Sequence, residues 1–329
     1  MPRCLVTGGC GFIGRHFTKK MVDLGYNVVI VDNMYSNSAL LPEVWPAHLK
    51  CSCEFINCDI IEYLKTNNVL FDVIIHAAAI VGGRYTIEND PLLVSYNITI
   101  DNELFRWIEK NPCENLVYFS SSAVYPVTLQ TQDHHRKLKL DDVDILNNNI
   151  SVPDLTYGWS KLTGEFSLHV LSKRVKTAIS VYRPFSGYGE DQHDSYPFPS
   201  IMRKVLNGEP SIDIWSDAVR DFVYIDDIVN YVLETCFHDK GLRILNIGTG
   251  IATSMSELAN KISNVAFNKQ IKVNVLDDKP KGVYYRVSTE NTDYLWHDLE
   301  YGIQKSIESG IFQIKTIPPP HNSLNPSVT

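Results

Sequence analysis

Short apolar runs alternate with longer segments of helical spacing through the first half of the chain. CLVTG, from Cys4, reads as a strand, and FIGRHFTKKMVDLG, from Phe12, as a helix ended by Gly25. NVVIVD follows as a second strand, and SCEFINCD, DVIIHAA, NLVYFSS and TAISVYRPF repeat the apolar pattern at intervals. Between them, DPLLVSYNITIDNELFRWIEK is predicted to be one helix from Asp90 to Lys110, opened by its Asp-Pro pair, and TYGWSKLTGEFSLHVLSKR another from Thr156. Strand and helix in alternation predict an α/β fold with a parallel sheet covered on both faces.

Beyond Arg183 the segments become shorter and mixed, among them SIMRKVLNGE, SIDIW, FVYIDDIVNYVLETCF, ILNIGTG and MSELANKIS. The expected organisation is a first domain over 1–183 and a smaller lobe over 184–315, with segments near 212–250 returning to the main sheet. Residues 316–329, rich in Pro, Asn and Ser, are expected to form a loose tail. The stretch from Pro126 to Pro153 is polar and long for a loop, and its basic run reads as a solvated face.

Composition narrows the class. The 329 residues are 44% hydrophobic, enough for a sizeable core, and the formal net charge is −8. That balance argues against nucleic-acid or anionic-membrane binding, so an anionic ligand must be held by a few arginines and backbone amides. The seven cysteines have no framework spacing, and the one cluster, CSCEFINC, lacks a neighbouring histidine or further cysteine to hold a metal. An apolar strand begins almost at the first residue, with no leader or long apolar segment before it, so a cytosolic protein is expected. The NIT and NIS sequons at Asn97 and Asn149 would then go unused.

The chemistry concentrates in two places. CLVTGGCGFIG puts Gly8, Gly11 and Gly14 at a strand-to-helix turn, where backbone can approach a pyrophosphate and a helix N-terminus can face it. Asp32 ends the next strand, placed to accept hydrogen bonds from a ribose diol and to repel a 2′-phosphate, which favours NAD over NADP. Asp59, ending EFINCD, is a candidate for the adenine amino group or a strand-end cap. In TYGWSK, Tyr157 and Lys161 stand one helical turn apart, and a lysine ammonium beside a phenol is expected to lower the tyrosine pKa toward working pH. Such a pair can move a proton to or from a sugar hydroxyl.

TGGCGFIG, VDN, HAAA, SSSAVY, YGWSK and RDFVYIDDIV stand in the order found in the extended short-chain dehydrogenase/reductase family, which residues 2 to 310 resemble. The resemblance implies a Rossmann-type doubly wound sheet with a C-terminal substrate-binding lobe, NAD as cofactor, and a nucleotide-diphosphate sugar as substrate. It implies that Phe12, Ile13, Asn33, Ile60, Ala77, Ala78, Ala79, Asn97, Ser120, Tyr157, Lys161 and Pro184 join the cofactor site, with Ser121 beside Tyr157 and Lys161 as catalytic serine. Arg220 and Arg286 would grip the diphosphate, and Arg84, Ser122, Ser186 and Tyr196 would line the substrate. Ser186 is a departure, since such enzymes usually carry asparagine there. The family also pairs the Asp90–Lys110 and Thr156–Arg174 helices across a two-fold axis, which implies a homodimer.

The residues after Ser121 sort the branches. Dehydratases of this family carry an Asp-Glu pair there, decarboxylases a glutamate at the second position, and 3,5-epimerases a cysteine. This chain has Ser122 and Ala123. No proton shuttle for elimination stands at either position, so the expected reaction is epimerisation at C4 through a transient 4-keto sugar. The alternatives are a one-way 4-dehydrogenase or 4-keto-sugar reductase, and a 3,5-epimerase whose base lies near His193 or Tyr196.

Overall fold

Alternation of period two splits each central strand between two cores. In the first strand, Cys4 and Val6 face one layer of helices and Leu5 the other; in the fourth, Val73 and Ile75 face the first and Ile74 the second. The computed structural model describes residues 1–81, 84–145, 147, 150–276, 282–289 and 294–313, and the side chains of 84–86 and 313 lie outside that description. In chain order the first part comprises β1 (Arg3–Thr7), α1 (Phe12–Asp23), β2 (Asn27–Asp32), β3 (Glu54–Asn57), α2 (Ile60–Thr66) and β4 (Val73–His76). It continues through α3 (Arg84–Asn89), α4 (Pro91–Ser95), α5 (Asn97–Lys110), β5 (Asn115–Phe119), α6 (Leu155–Ser172) and β6 (Ala178–Pro184).

The second part comprises β7 (Ser186–Tyr188), α7 (Pro197–Leu206), β8 (Ser211–Ile214), β9 (Val219–Arg220), β10 (Phe222–Tyr224), α8 (Ile225–Thr235) and β11 (Gly241–Ile247). After these come β12 (Thr253–Ser254), α9 (Met255–Phe267), β13 (Lys272–Val275), β14 (Tyr285–Arg286) and α10 (Leu299–Glu308). The main sheet has seven strands in the order β11-β6-β5-β4-β1-β2-β3, all parallel. The expected doubly wound sheet is therefore present. Its strand order reverses between β1 and β4, the place where open sheets of this kind form a ligand crevice beyond the carboxyl ends of their strands.

Two expectations change in detail. Of the stretch near 212–250, β11 alone joins the main sheet; β8 pairs with β13, β9 with β12 and β14, and β10 with β7. The Asp90–Lys110 helix is divided into α4 and α5 at Tyr96, next to Asn97, whose side chain turns inward to the backbone of Ile80. The Asp-Pro opening is as expected: Asp90 accepts from the Leu93 N–H at 3.1 Å, with Pro91 at the first helical position. Among the described residues no helix is long and apolar enough to cross a membrane. Asn149 and the 316–329 tail lie outside the described residues.

The long segment after Pro126 is less loop-like than its polarity suggests. Leu138 and Val143 are buried against Tyr125, Leu162 and Phe185. Arg183, on β6, donates to the carbonyls of Leu140 (3.1 Å) and Val143 (3.3 Å), so a guanidinium in the core ties this segment to the sheet. Its charge is met by Glu165 of α6 through two bonds of 2.9 and 2.7 Å, with both side chains essentially sealed from solvent. The basic run itself is exposed, with Arg136 pairing to Asp142.

Removing one member of such a pair strands the other's charge. Arg183→Met is expected to cost about 3–5 kcal/mol in urea unfolding, and adding Glu165→Gln should recover part of the loss. A cost below about 1 kcal/mol, the scale of an exposed pair, would contradict the buried-pair description.

Candidate active site

The glycine turn between β1 and α1 sits at the reversal point of the sheet. Gly8 has φ +69°, and a Cβ on it would stand 2.6 Å from the Ala78 backbone just beyond β4. Gly14 is confined equally, since its Cβ would lie 2.2 Å from the Gly8 carbonyl oxygen. Gly11 is the N-cap of α1, and Phe12 and Ile13 open the helix, where N–H groups have no partner within it. The cradle these glycines leave suits a phosphate group held by backbone amides.

Asp32 closes β2 beside this turn. Its carboxylate accepts from the N–H groups of Cys10 (3.0 Å) and Met34 (2.8 Å). Burial raises its pKa, and these two bonds work against the rise. A carboxylate has about four acceptor sites, so two bonds leave room for a ribose diol. Asn33 donates to Asp59 at 3.2 Å, and Asp59 also caps α2 by accepting from Ile61 N–H at 2.9 Å, with Ile60 buried behind it. Asp59 is therefore a helix cap, with its other carboxylate oxygen facing Asn33.

Ala77, Ala78 and Ala79 follow β4 and are half-buried; Ala77 and Ala78 are bonded through their N–H groups to the carbonyl and hydroxyl of Thr7. Asn97 is fully buried, its amide accepting from Ile80 N–H (2.7 Å) and donating to Ile80 C=O (2.9 Å), so it clips the alanine stretch in place. Ser120 is similarly internal, donating to Glu165 at 2.5 Å.

Ser121, Tyr157 and Lys161 converge at the carboxyl end of β5. Ser121 caps the short turn Ser122–Val124, accepting from Ala123 N–H at 3.1 Å, and its hydroxyl interacts with the Tyr157 phenol. Ser122 and Ala123 are buried beneath α6, whose Asp154 N–H donates to the Ala123 carbonyl at 2.8 Å. The Lys161 ammonium stands 5.9 Å from the Tyr157 ring centre and 4.8 Å from that of Tyr118. The expected lowering of the Tyr157 pKa is reversed in the protein alone. Burial pushes it up, Tyr196 and Asp101 add to the rise, and Ser121 opposes it. Tyr196, at the N-cap of α7, is itself pushed up to about 12 by burial. His193 is exposed and engages Ser195.

The lobe supplies the arginines. β9 and β14 lie side by side with Arg220 directly opposite Arg286. Arg220 donates to the carbonyls of Val219, Val283 and Tyr284, and Arg286 to Gln130 and Asp154, each at 2.7 Å. Both are thus anchored by the protein, Arg286 to the segment that opens α6. Pro184 ends β6 opposite Ile247, and Ser186 donates its N–H to Asp221 C=O at 2.9 Å. Arg84 opens α3, and its side chain is outside the described residues.

Several organising residues escaped the sequence reading. Asp221 is wholly buried and accepts from Thr249, Gly250 and Ser288, which ties the loop after β11 to the segment after β14. Asp191 reaches from the lobe to Arg15 and His16 on α1, and the two basic partners hold its carboxyl well below the usual range against the effect of burial. His76, Asp101 and Tyr118 form a sealed polar group beneath Lys161. His76, in HAAA, and Asp221, in RDFVYIDDIV, stood inside motifs without a role of their own; the others read as ordinary helix or strand residues.

A raised Tyr157 pKa means the phenol keeps its proton to higher pH than free tyrosine. In protein stripped of nucleotide, the ultraviolet titration of wild type minus Tyr157→Phe is expected to show Tyr157 ionising only above about pH 10, the ordinary tyrosine value. Ionisation near neutral pH would contradict the burial effect.

A family model described as "NAD dependent epimerase/dehydratase family" matches residues 4–248. The chain is 27% identical to a UDP-glucose 4-epimerase of Drosophila melanogaster, over 93% of this chain and 95% of that protein. It is 26% identical to a UDP-N-acetyl-alpha-D-glucosaminuronate decarboxylase of Bacillus cytotoxicus, over 84% of each. Among solved structures, the UDP-N-acetylglucosamine 4-epimerase from Methanobrevibacter ruminantium M1 superposes with a TM-score of 0.77 at 22% identity, covering 95% of this chain and 99% of that one.

Proposed function

The chain belongs to the NAD dependent epimerase/dehydratase family, and from that premise we propose that it epimerises a nucleotide-diphosphate sugar at C4 through a transient 4-keto sugar. The observation that carries this reading is the pairing of a complete Ser121–Tyr157–Lys161 set with Ser122 and Ala123, neither of which has a carboxylate or thiol to move a second proton. Relatives whose names specify UDP-sugar 4-epimerases, including the Drosophila melanogaster protein, support the choice of carbon and a UDP-sugar as the first substrate to try.

The cradle at Gly8, Gly11 and Gly14 suits the pyrophosphate of NAD, Asp32 its ribose, and the stretch Ala77–Ala79 with Ser120 and Pro184 the walls around its nicotinamide. When bound, NAD supplies the acceptor and then the donor of hydride at C4, and its positive ring lowers the pKa of a nearby phenol. Tyr157 takes the proton of the C4 hydroxyl and later returns it. Lys161 stabilises the phenolate with its charge. Ser121 donates a hydrogen bond to the ketone oxygen. Arg220 and Arg286, side by side, hold the diphosphate while the sugar turns over between Ser122, Ser186 and Tyr196. No C–O bond breaks, so no acid is needed at Ala123.

We also propose a homodimer formed through α5 and α6. A groove between these helices is lined by Ile98, Phe105, Phe166 and Val170, and Phe166 is 51% exposed. Seven thiols, all unpaired, suit a reducing compartment, and we place the protein in the cytoplasm.

Incubation with a panel of nucleotide-diphosphate sugars, read by NMR, is expected to give a product inverted at C4 alone; net accumulation of a 4-keto or reduced sugar would favour the dehydrogenase or reductase reading instead. Tyr157→Phe should lower kcat by about 10²–10⁴-fold, and Ser121→Ala by less, since it removes one hydrogen bond. Loss of similar size in both would mean that Tyr157 is not the principal proton carrier. Sedimentation at micromolar concentration should show a dimer that Phe166→Glu dissociates; a wild-type monomer would refute the interface.

A further inference from the structure

A lysine sealed in a protein core tends to lose its proton, because burial disfavours the charged form. Lys161 is 2% exposed, and burial pulls its pKa down. Yet the role given to Lys161 requires an ammonium. The source of that charge's stability lies beneath it, in Asp101, His76 and Tyr118.

Asp101 of α5 is 1% exposed and makes two hydrogen bonds. His76 Nε2 lies 3.0 Å from Oδ1, and the Tyr118 hydroxyl donates to Oδ2 at 2.5 Å. A carboxylate only accepts, so His76 presents its Nε2–H to Asp101. Its Nδ1 then accepts from the Thr7 hydroxyl at 2.6 Å, and the Thr7 oxygen accepts from Ala78 N–H at 3.3 Å. Every donor in this chain has its acceptor. The His76 ring stacks on that of Tyr118 with centres 5.8 Å apart, and the Lys161 ammonium stands over the Tyr118 ring. Gly164, one turn after Lys161, lets α6 come this close; a Cβ there would lie 2.2 Å from the Tyr118 oxygen and 2.8 Å from Asp101 Oδ2.

We propose that Asp101 is a positioning residue for the reaction: its carboxylate, fixed by His76 and Tyr118, is the buried counter-charge that keeps Lys161 an ammonium. The inference rests on the catalytic reading of Lys161. The groups facing Lys161 are Asp101 from α5, Tyr118 from β5 and Tyr157 from its own helix; His76 from β4 is bonded to Asp101 and stacked on Tyr118, and Glu165, close to Tyr118, is committed to Arg183. Among these, Asp101 carries the negative charge left to answer the lysine. The influence is mutual. Burial works to raise the Asp101 carboxyl, but Lys161 and the bonds from His76 and Tyr118 together hold it below the ordinary range.

The test is Asp101→Asn, which keeps the shape and removes the charge. In protein labelled with 13C at lysine Cε, with the Lys161 signal assigned through Lys161→Arg, the Lys161 titration is expected to fall by about 1–3 on the pH scale, the effect of losing a close opposite charge. The alkaline limb of kcat should move down by the same amount, with KM and bound NAD unchanged. An unchanged Lys161 titration overturns the proposal. A titration that moves while the alkaline limb stays put upholds the charge pairing and places the fault in the catalytic reading of Lys161. Should Asp101→Asn alone fold poorly, thermal melts decide. Lys161→Met should be less stable than Lys161→Met with Asp101→Asn, because the single change strands the carboxylate. Equal or greater stability of the single variant overturns the pairing.

Discussion

Crowding at the reversal point of the sheet governs the rest of the structure. β1 and β4 are neighbours there, and Gly8 passes so close to Ala78 that no side chain fits between them. The two chains leaving β1 and β4 diverge from that contact, one into the glycine turn and α1, the other into the alanine stretch. The crevice between them is where a dinucleotide can lie. Thr7, at the end of β1, bonds both the Ala77 and Ala78 N–H groups and reaches His76. The same few residues therefore shape the cofactor crevice and begin the polar chain that ends under Lys161.

Features carried by local chemistry were legible in the sequence. The strand–glycine–helix entry, the carboxylate ending β2 and the one-turn Tyr157–Lys161 spacing depend on residues near each other in the chain, and each is found at its expected place. Features that depend on distant pairing were not. Arg183 and Glu165 meet across β6 and α6, Asp191 crosses from the lobe to α1, and Asp101 meets His76 and Tyr118 from three separate elements. Nothing in the local pattern marks such residues, because a buried charge on a helix reads like an exposed one until the fold shows what covers it. The break at Tyr96 has the same origin. The helical period runs through it, Tyr96 itself keeps helical dihedrals, and the interruption shows only in the fold, next to the bonds from Asn97 to Ile80.

The electrostatics of the site are poised rather than settled. In the protein alone, burial keeps the Tyr157 phenol protonated and draws the lysine toward neutrality. A proton acceptor needs the opposite of both. If Tyr157 is to accept a proton, as proposed, bound NAD and a charged Lys161 would supply the positive charge that lowers its pKa. This division suits a reaction that reverses its own hydride step. It gives no help to an elimination, which would need a further carboxylate where Ala123 lies buried.

Turnover in D₂O tests the central claim most directly. A C4 epimerase returns to the sugar carbon the same hydrogen it removed, so the inverted product should carry no deuterium at any ring carbon. Epimerisation at C3 or C5 must draw a proton from solvent, and deuterium at either carbon of the product would contradict the C4 reading and move the search for a base to His193, Tyr196 and Ser122.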